Sequence, residues 1–206
     1  MGYNYGKGFE GLFYRFVKGL AYVLFRVLFR IEVRGIENLP MEGGIVVASN
    51  HVSFLDPPAL GAVLPRKANF MARKGLFGIP ILGSLIRPFA FPVDRQKTMP
   101  STIKTAIGKL SEGELLVIFP EGRRSHDGRL LEPKKGVGMI VAISKARVMP
   151  VFIKGTDKAL PVGAGFIRPA KVIIQFGELL DLSSMGNHND ISSEIMKAIE
   201  ALRWRS

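Results

Sequence analysis

Cysteine is absent from the 206-residue chain. Its absence excludes disulfides, thiolate metal sites and a cysteine acyl-enzyme. Acidic side chains are also scarce: 17 Asp and Glu stand against 29 Lys and Arg, for a formal net charge of +12. An excess of that size predicts a polyanionic partner, which is a nucleic acid, an anionic membrane surface or a phosphorylated substrate.

Long hydrophobic runs are missing as well. The longest uncharged run in the aromatic N-terminal stretch is Gly19 to Phe25, far short of the ~20 residues that a membrane span needs. The start of the chain also lacks the pattern of a secretory signal. Histidine occurs only three times. Since no cluster of His, Asp and Glu has metal-ligand spacing, we predict no metal site.

The N-terminal stretch from Gly8 to Arg30 nevertheless predicts an amphipathic helix, which from Phe9 to Arg30 would be about 33 Å long. A core helix would not carry this many aromatic side chains beside a row of cations, and a nucleic-acid-binding helix would not need them. An interfacial helix needs both apolar bulk and Lys or Arg for anionic headgroups. We therefore predict that residues 1–30 are a membrane-surface segment, either one helix or a hairpin broken near Gly19. Its cations share one arc of the helix: Arg15, Lys18, Arg26 and Arg30.

The remaining residues, 31–206, alternate between strand and helix patterns, which predicts an α/β domain with a mixed sheet flanked by helices. Pro150 lies within one of the strand patterns and indicates an edge strand or a bulge there. The strands are predicted at 31–35, 45–49, 67–72, 114–119, 148–153 and 171–176, and the helices at 57–63, 81–86, 98–112, 137–145 and 191–203.

Three polar clusters follow apolar strands or loops, at positions from which α/β folds present reactive side chains. They are Asn50-His51 with Asp56, Asp94-Arg95, and residues 121–125. An acid that accepts the Nδ1 proton of His51 would leave Nε2 free to act as a general base. The ordinary alternative is a structural histidine beside a helix-capping aspartate. Arginines suit phosphate oxygens, or else pair with neighbouring acids at the surface.

These clusters resemble the conserved blocks of glycerolipid acyltransferases, in particular those acting on 1-acyl-sn-glycerol 3-phosphate. His-x4-Asp alone is a weak signal, whereas four blocks in the right order between Ile31 and Gly177 are a strong one. The matching segments are Asn50-His51-Val52-Ser53-Phe54-Leu55-Asp56, Phe91-Pro92-Val93-Asp94-Arg95, Phe119-Pro120-Glu121-Gly122-Arg123-Arg124-Ser125 and Val148-Met149-Pro150-Val151-Phe152.

The resemblance implies that His51 deprotonates a glycerol hydroxyl while Asp56 holds the imidazole. The substrate would be bound by Lys74, Arg95, Glu121, Gly122, Arg123, Arg124 and Ser125. The acyl donor would be an acyl-CoA or an acyl-carrier protein, with no cofactor. The sequence departs from the family pattern at two positions. Arg123 replaces the threonine that is usual in the third block, and bulky Phe89 replaces a small residue before the second block.

The implied activity is acyl transfer to lysophosphatidate, giving phosphatidate at the cytoplasmic face of the cell membrane by a peripheral or monotopic enzyme. Glycerol 3-phosphate or another lyso-lipid is the alternative acceptor. A non-catalytic basic protein that binds membranes or nucleic acid is a remote alternative. We expect no nucleic-acid partner, because the sequence lacks a recognition-helix or RNA-binding-sheet signature.

Overall fold

In the computed structural model, residues 9–93 and 100–203 are described. Within these residues, seven strands form one mixed sheet in the order β1-β7-β6-β2-β5-β3-β4. Strands β6, β2, β5, β3 and β4 run parallel to one another, while β7 runs antiparallel to β6 and parallel to β1. The predicted α/β class with a mixed sheet is confirmed. The strands are β1 (Glu32–Arg34), β2 (Ile45–Ser49), β3 (Ala68–Arg73), β4 (Ala90–Val93), β5 (Leu115–Ile118), β6 (Arg147–Lys154) and β7 (Ile173–Phe176).

Helices cover both faces of the sheet. Successive residues of a strand point to opposite faces, so Ile45 and Val47 of β2 join the core beneath α1 and α2. Val46 and Ala48 join the core beneath α4, α5 and α7. The helices are α1 (Phe9–Leu28), α2 (Asp56–Val63), α3 (Pro80–Ile86), α4 (Pro100–Ser111), α5 (Lys135–Ser144), α6 (Thr156–Ala159) and α7 (His188–Arg203), with short 3-10 turns at Ile36–Asn38 and Lys74–Gly78.

Strand β4 has no counterpart in the sequence prediction, which places only the helix at 81–86 between the strand at 67–72 and the helix at 98–112. That helix is present as α3, but the chain then continues into β4, whose Pro92 pairs with Ala72 of β3. Proline disfavours a central strand because it has no N–H to donate. It is tolerated in β4 because, among the described residues, this strand is the last in the sheet and pairs on one side only.

Pro150 lies inside the sheet, so the prediction of an edge strand is wrong. Strand β6 pairs with β2 on one side and with β7 on the other. The other half of the prediction, a bulge, fits the register. Val151 pairs with Phe176 and Val148 with Leu180, so three residues (177–179) oppose two in β6. The missing N–H of Pro150 therefore falls where the ladder is already irregular.

Helix α1 is continuous across Gly19, without the break that a hairpin would need. One stripe of it faces the domain: Tyr14 and Phe25 are buried, and Phe29 follows them into the core. Lys18 belongs to this stripe and donates to the carbonyl of Leu64, rather than standing beside the exposed Arg15 and Arg26. The opposite face is apolar and exposed: Leu12, Phe16, Leu20, Val23, Leu24, Val27 and Leu28.

Membrane contact through this exposed face stays a prediction. Within residues 9–93 and 100–203, no helix combines the length and the apolar character needed to cross a bilayer. A further group of exposed apolar side chains lies on and beside α3: Ile79, Ile81, Leu82 and Leu85.

Candidate active site

The carboxyl ends of β6, β2, β5 and β3 meet at one edge of the sheet, because these neighbouring strands are parallel. The segment 50–56 leaves β2 there, and 119–125 leaves β5. The two segments are joined directly, since the Ser125 N–H donates to the His51 carbonyl at 2.8 Å. The first and third polar clusters therefore lie together. Asp94 and Arg95 lie outside the described residues.

His51 and Asp56 form a buried pair. The Nδ1 atom of His51 lies 2.8 Å from Oδ2 of Asp56, whose side chain is inaccessible to solvent. The same oxygen accepts the N–H groups of Val52 at 2.7 Å and Ser53 at 2.8 Å. Because a carboxylate ringed by donors acts as an acceptor, it holds the proton on Nδ1 and leaves Nε2 with a free lone pair. The spacing of five residues works because a turn at 54–55 leads directly into α2, which begins at Asp56 and has Pro57 and Pro58 in its first turn.

The His51 ring is held by stacking as well. It lies against Phe119, with ring centroids 4.2 Å apart and planes inclined by 22°. Phe119 belongs to the third sequence block, but no role was predicted for it. His51 retains 9% of its surface exposed, so the ring is fixed in orientation and still reachable by a substrate.

Thr156 completes the surroundings of Asp56. It follows β6, the strand beside β2, and its Oγ1 donates to Oδ1 of Asp56 at 2.6 Å. No sequence motif singles out this threonine. The signal that could have found it is positional, since it begins the segment after the strand that carries the fourth block.

Glu121 is almost wholly buried, with 1% of its surface exposed. One carboxylate oxygen accepts the His51 N–H at 2.8 Å and the other accepts the Leu131 N–H at 2.9 Å. Burial raises the pKa of Glu121, the two backbone donors oppose the rise, and the nearby charge of Asp56 adds to it. The carboxylate thus holds the loop around residue 131 against the backbone of His51. Its predicted contact with substrate stays a prediction.

Gly122 allows the chain to turn directly after Glu121. Its φ of +68° lies in the left-handed region, and a Cβ there would stand 3.1 Å from Cγ of Lys134. Ser125 ends the turn as a buried residue whose hydroxyl donates to Asp127 at 3.0 Å. Both residues shape the segment beside His51.

The predicted cationic side chains divide into two groups. Arg124 places its guanidinium 3.4 Å from the ring centroid of Phe54, a residue of the first block. Partial burial lowers the pKa of Arg124, and the nearby charge of Asp56 opposes that shift. Arg123 points elsewhere: it is exposed and helps to line an open cleft of about 620 Å³ with Glu121, Leu130, Leu131, Glu132 and Lys134. Lys74 is exposed at the carboxyl end of β3, on the same edge of the sheet.

His51, Asp56 and Arg124 together are suited to removing a proton from the hydroxyl of a substrate that also carries an anionic group. A base with an orienting acid acts by general-base catalysis, and the guanidinium of Arg124 can bind an anionic group close by. Across the described part of the chain, no group of three or more His, Asp or Glu side chains could hold a metal ion.

Comparison with known proteins agrees with this chemistry. The family model described as Acyltransferase matches residues 30–154. A 1-acyl-sn-glycerol-3-phosphate acyltransferase of Bacillus subtilis is 32% identical over 194 residues, which cover 93% of this chain and 94% of the relative. The enzyme of the same name from Streptococcus pneumoniae is 30% identical over 91% of this chain and 70% of its own length.

A solved structure shares the fold. The crystal structure of the 1-acyl-sn-glycerophosphate acyltransferase of Thermotoga maritima superposes with a TM-score of 0.79 at 27% identity. The match covers 91% of this chain and 77% of that one.

Proposed function

Because the chain belongs to the acyltransferase family, we propose that it transfers a fatty acyl group from an acyl thioester to the free hydroxyl of 1-acyl-sn-glycerol 3-phosphate. The product is phosphatidate, and the second product is the free thiol of the donor. The single observation that carries the proposal is the His51–Asp56 pair at the edge of the sheet where the first and third sequence blocks meet.

The reaction needs no protein nucleophile. Nε2 of His51 accepts the proton of the acceptor hydroxyl while the oxygen attacks the thioester carbonyl. Collapse of the tetrahedral intermediate breaks the C–S bond, and the imidazolium returns its proton to the leaving sulfur. Asp56 stabilises the imidazolium through the 2.8 Å contact. General-base catalysis of this kind contributes about 10²–10⁴-fold to the rate.

The anionic acceptor needs cations around the base. Arg124 is the best-supported phosphate ligand, since its guanidinium lies over Phe54 inside the first block. Lys74, at the end of β3, is proposed as a second phosphate ligand. Arg95 is proposed as a third because of its place in the second block. Arg123 would add charge at the open cleft, while Gly122, Ser125 and Glu121 would shape the glycerol-phosphate site.

The acyl donor is an acyl-CoA or an acyl-carrier protein, which acts as a co-substrate; no cofactor is required. The enzyme would work at the cytoplasmic surface of an anionic phospholipid membrane as a peripheral or monotopic protein. Support for this comes from the outer face of α1, which is apolar, exposed and flanked by Arg15 and Arg26. Residues 1–30 would then be the membrane-surface segment of the 31–206 acyltransferase domain, although Phe25 and Phe29 pack into its core.

Release of free thiol from a long-chain acyl-CoA tests the proposal. We expect release that depends on lysophosphatidate in the wild type and is lost in His51→Ala. Release that instead requires glycerol 3-phosphate would change the acceptor while keeping the chemistry. Absence of release with acyl-CoA and acyl-carrier protein, on either acceptor and in the presence of membranes, would refute the proposed function.

A further inference from the structure

The environment of Asp56 points to an additional residue that the reaction depends on. We propose that Thr156 is a positioning residue: its hydroxyl fixes the Asp56 carboxylate in the one orientation that holds His51 ready as a base. The inference rests on the proposed function for its kinetic consequences. It rests on the geometry alone for the hydrogen bond itself.

The two oxygens of Asp56 have separate partners. Oδ2 accepts from His51 Nδ1, Val52 N–H and Ser53 N–H. For Oδ1 the structure gives one hydrogen bond, the 2.6 Å contact from Thr156. Both residues are fully buried, at 0% exposure, so water has no access to replace a lost donor. Without the hydroxyl, Oδ1 would be a buried, unsatisfied anionic oxygen, and rotation of the carboxylate would disturb its alignment with the imidazole.

The chain makes a sharp turn to place this hydroxyl. Gly155 adopts φ +93°, and a Cβ there would stand 2.0 Å from the carbonyl oxygen of Lys171. Its N–H is capped by the side chain of Asp157 at 3.1 Å. Glycine is therefore required at the end of β6, and the turn it permits directs Thr156 inwards to the site.

A second link fixes the distance between Thr156 and the base. The Asn50 amide spans to the backbone of Ile153 in β6, accepting its N–H at 2.7 Å and donating to its carbonyl at 2.9 Å. Asn50 immediately precedes His51, and Ile153 lies three positions before Thr156. The amide thus extends the β2–β6 pairing past Ser49 and locks the segment that carries the base against the segment that carries Thr156.

Two substitutions distinguish the effect of the Thr156 hydroxyl on kcat from the effect of the side chain's shape. Thr156→Val keeps the volume and removes the donor, whereas Thr156→Ser keeps the donor and removes a methyl group. We expect Thr156→Val to lower kcat for acceptor-dependent thiol release about 10- to 100-fold, with the KM of both substrates nearly unchanged. Thr156→Ser should retain kcat within about threefold of wild type.

If Thr156 served only to fill space, kcat should fall more in Thr156→Ser than in Thr156→Val, because valine fills the buried site better than serine does. Equal kcat in Thr156→Val and wild type, or equal losses in the valine and serine variants, would overturn the proposal. If the valine variant does not fold, Thr156→Ala against Thr156→Ser offers the same contrast between an absent and a present hydroxyl.

A measurement without substrate separates this inference from the proposed reaction. The proton between His51 Nδ1 and Asp56 can be followed by NMR of the resting enzyme. We expect its resonance to move in Thr156→Val and to stay in place in Thr156→Ser. An unmoved resonance in Thr156→Val would contradict the positioning role even in an active enzyme. A moved resonance in a protein inactive towards every acceptor would keep the positioning role and reject the reaction.

Discussion

The outer face of α1 offers the sharpest test of membrane association. We consider replacing Leu12, Phe16 and Val27 together by glutamine. These side chains are 68%, 67% and 71% exposed, so the protein loses little native packing when they change. Glutamine is a good helix former, and α1 should remain helical and docked through Tyr14 and Phe25.

The expected effect follows from the exposed fractions. Complete burial of a Val, Leu or Phe side chain contributes about 1.5–3 kcal/mol. With roughly two thirds of each side chain available to enter the lipid, the three together contribute about 3–6 kcal/mol. Loss of that contribution weakens vesicle binding by about 10²–10⁴-fold.

Co-sedimentation with anionic phospholipid vesicles measures the change, with the unfolding transition recorded beside it. Ile143→Gln is the matched control, because Ile143 is 55% exposed but lies on α5, against the other face of the sheet. We expect the triple variant to remain in the supernatant and the control to sediment like wild type. Undiminished sedimentation of the triple variant, or an equal loss in the control, would refute the assignment of the membrane-facing surface.

Other predictions concern the site itself. His51→Ala should reduce kcat by about 10²–10⁴-fold with little loss of folding stability, as judged by thiol release and thermal unfolding; turnover near the wild-type level would exclude His51 as the base. Arg124→Ala should raise the KM of the acceptor more than that of the donor in the same assay, and the reverse pattern would move Arg124 to the donor site. Glu121 should make folding stability depend on pH, because its pKa is raised in the folded protein, chiefly by burial. Its contribution is fully present below the unfolded pKa and is lost as the pH rises through the raised folded value. Urea unfolding between mildly acidic and neutral pH should show a steeper loss of stability with rising pH in the wild type than in Glu121→Gln, and parallel profiles would contradict it.

Local sequence patterns predicted the central elements because their causes are local. The run Ile45–Ser49 is rich in β-branched residues, uncharged and bounded by glycine before it and Asn50 after it, and β2 has those bounds. Strand β4 was not predicted, because prolines and glycines dominate the sequence around it and only its pairing with β3 at the sheet edge reveals a strand. Likewise Pro150 was compatible with an edge or a bulge until the register of β7 was known.

Helix α1 likewise has one feature that the sequence predicted and another that only the tertiary structure decided. The periodicity of residues 9–30 predicted the helix. The same periodicity, however, placed Lys18 on one arc with the cations that prove to be exposed. Which stripe is buried depends on the partner surface, and α1 docks on α2 with Lys18 against the end of that helix. Because α1 docks on α2 in this way, the apolar arc opposite the buried stripe faces outward.

The sequence by itself determined the family and predicted the chemistry, with His51 as the proposed base and Asp56 as its orienting acid. These follow from residue types at short spacings, and the turn between them brings His51 and Asp56 together locally. The tertiary structure alone decided what surrounds that pair. Thr156 reaches Asp56 from 100 residues further along the chain, and Glu121 reaches the His51 backbone from 70 residues away. Such contacts arise from the pairing of β2 with β6 and β5, which no local pattern specifies.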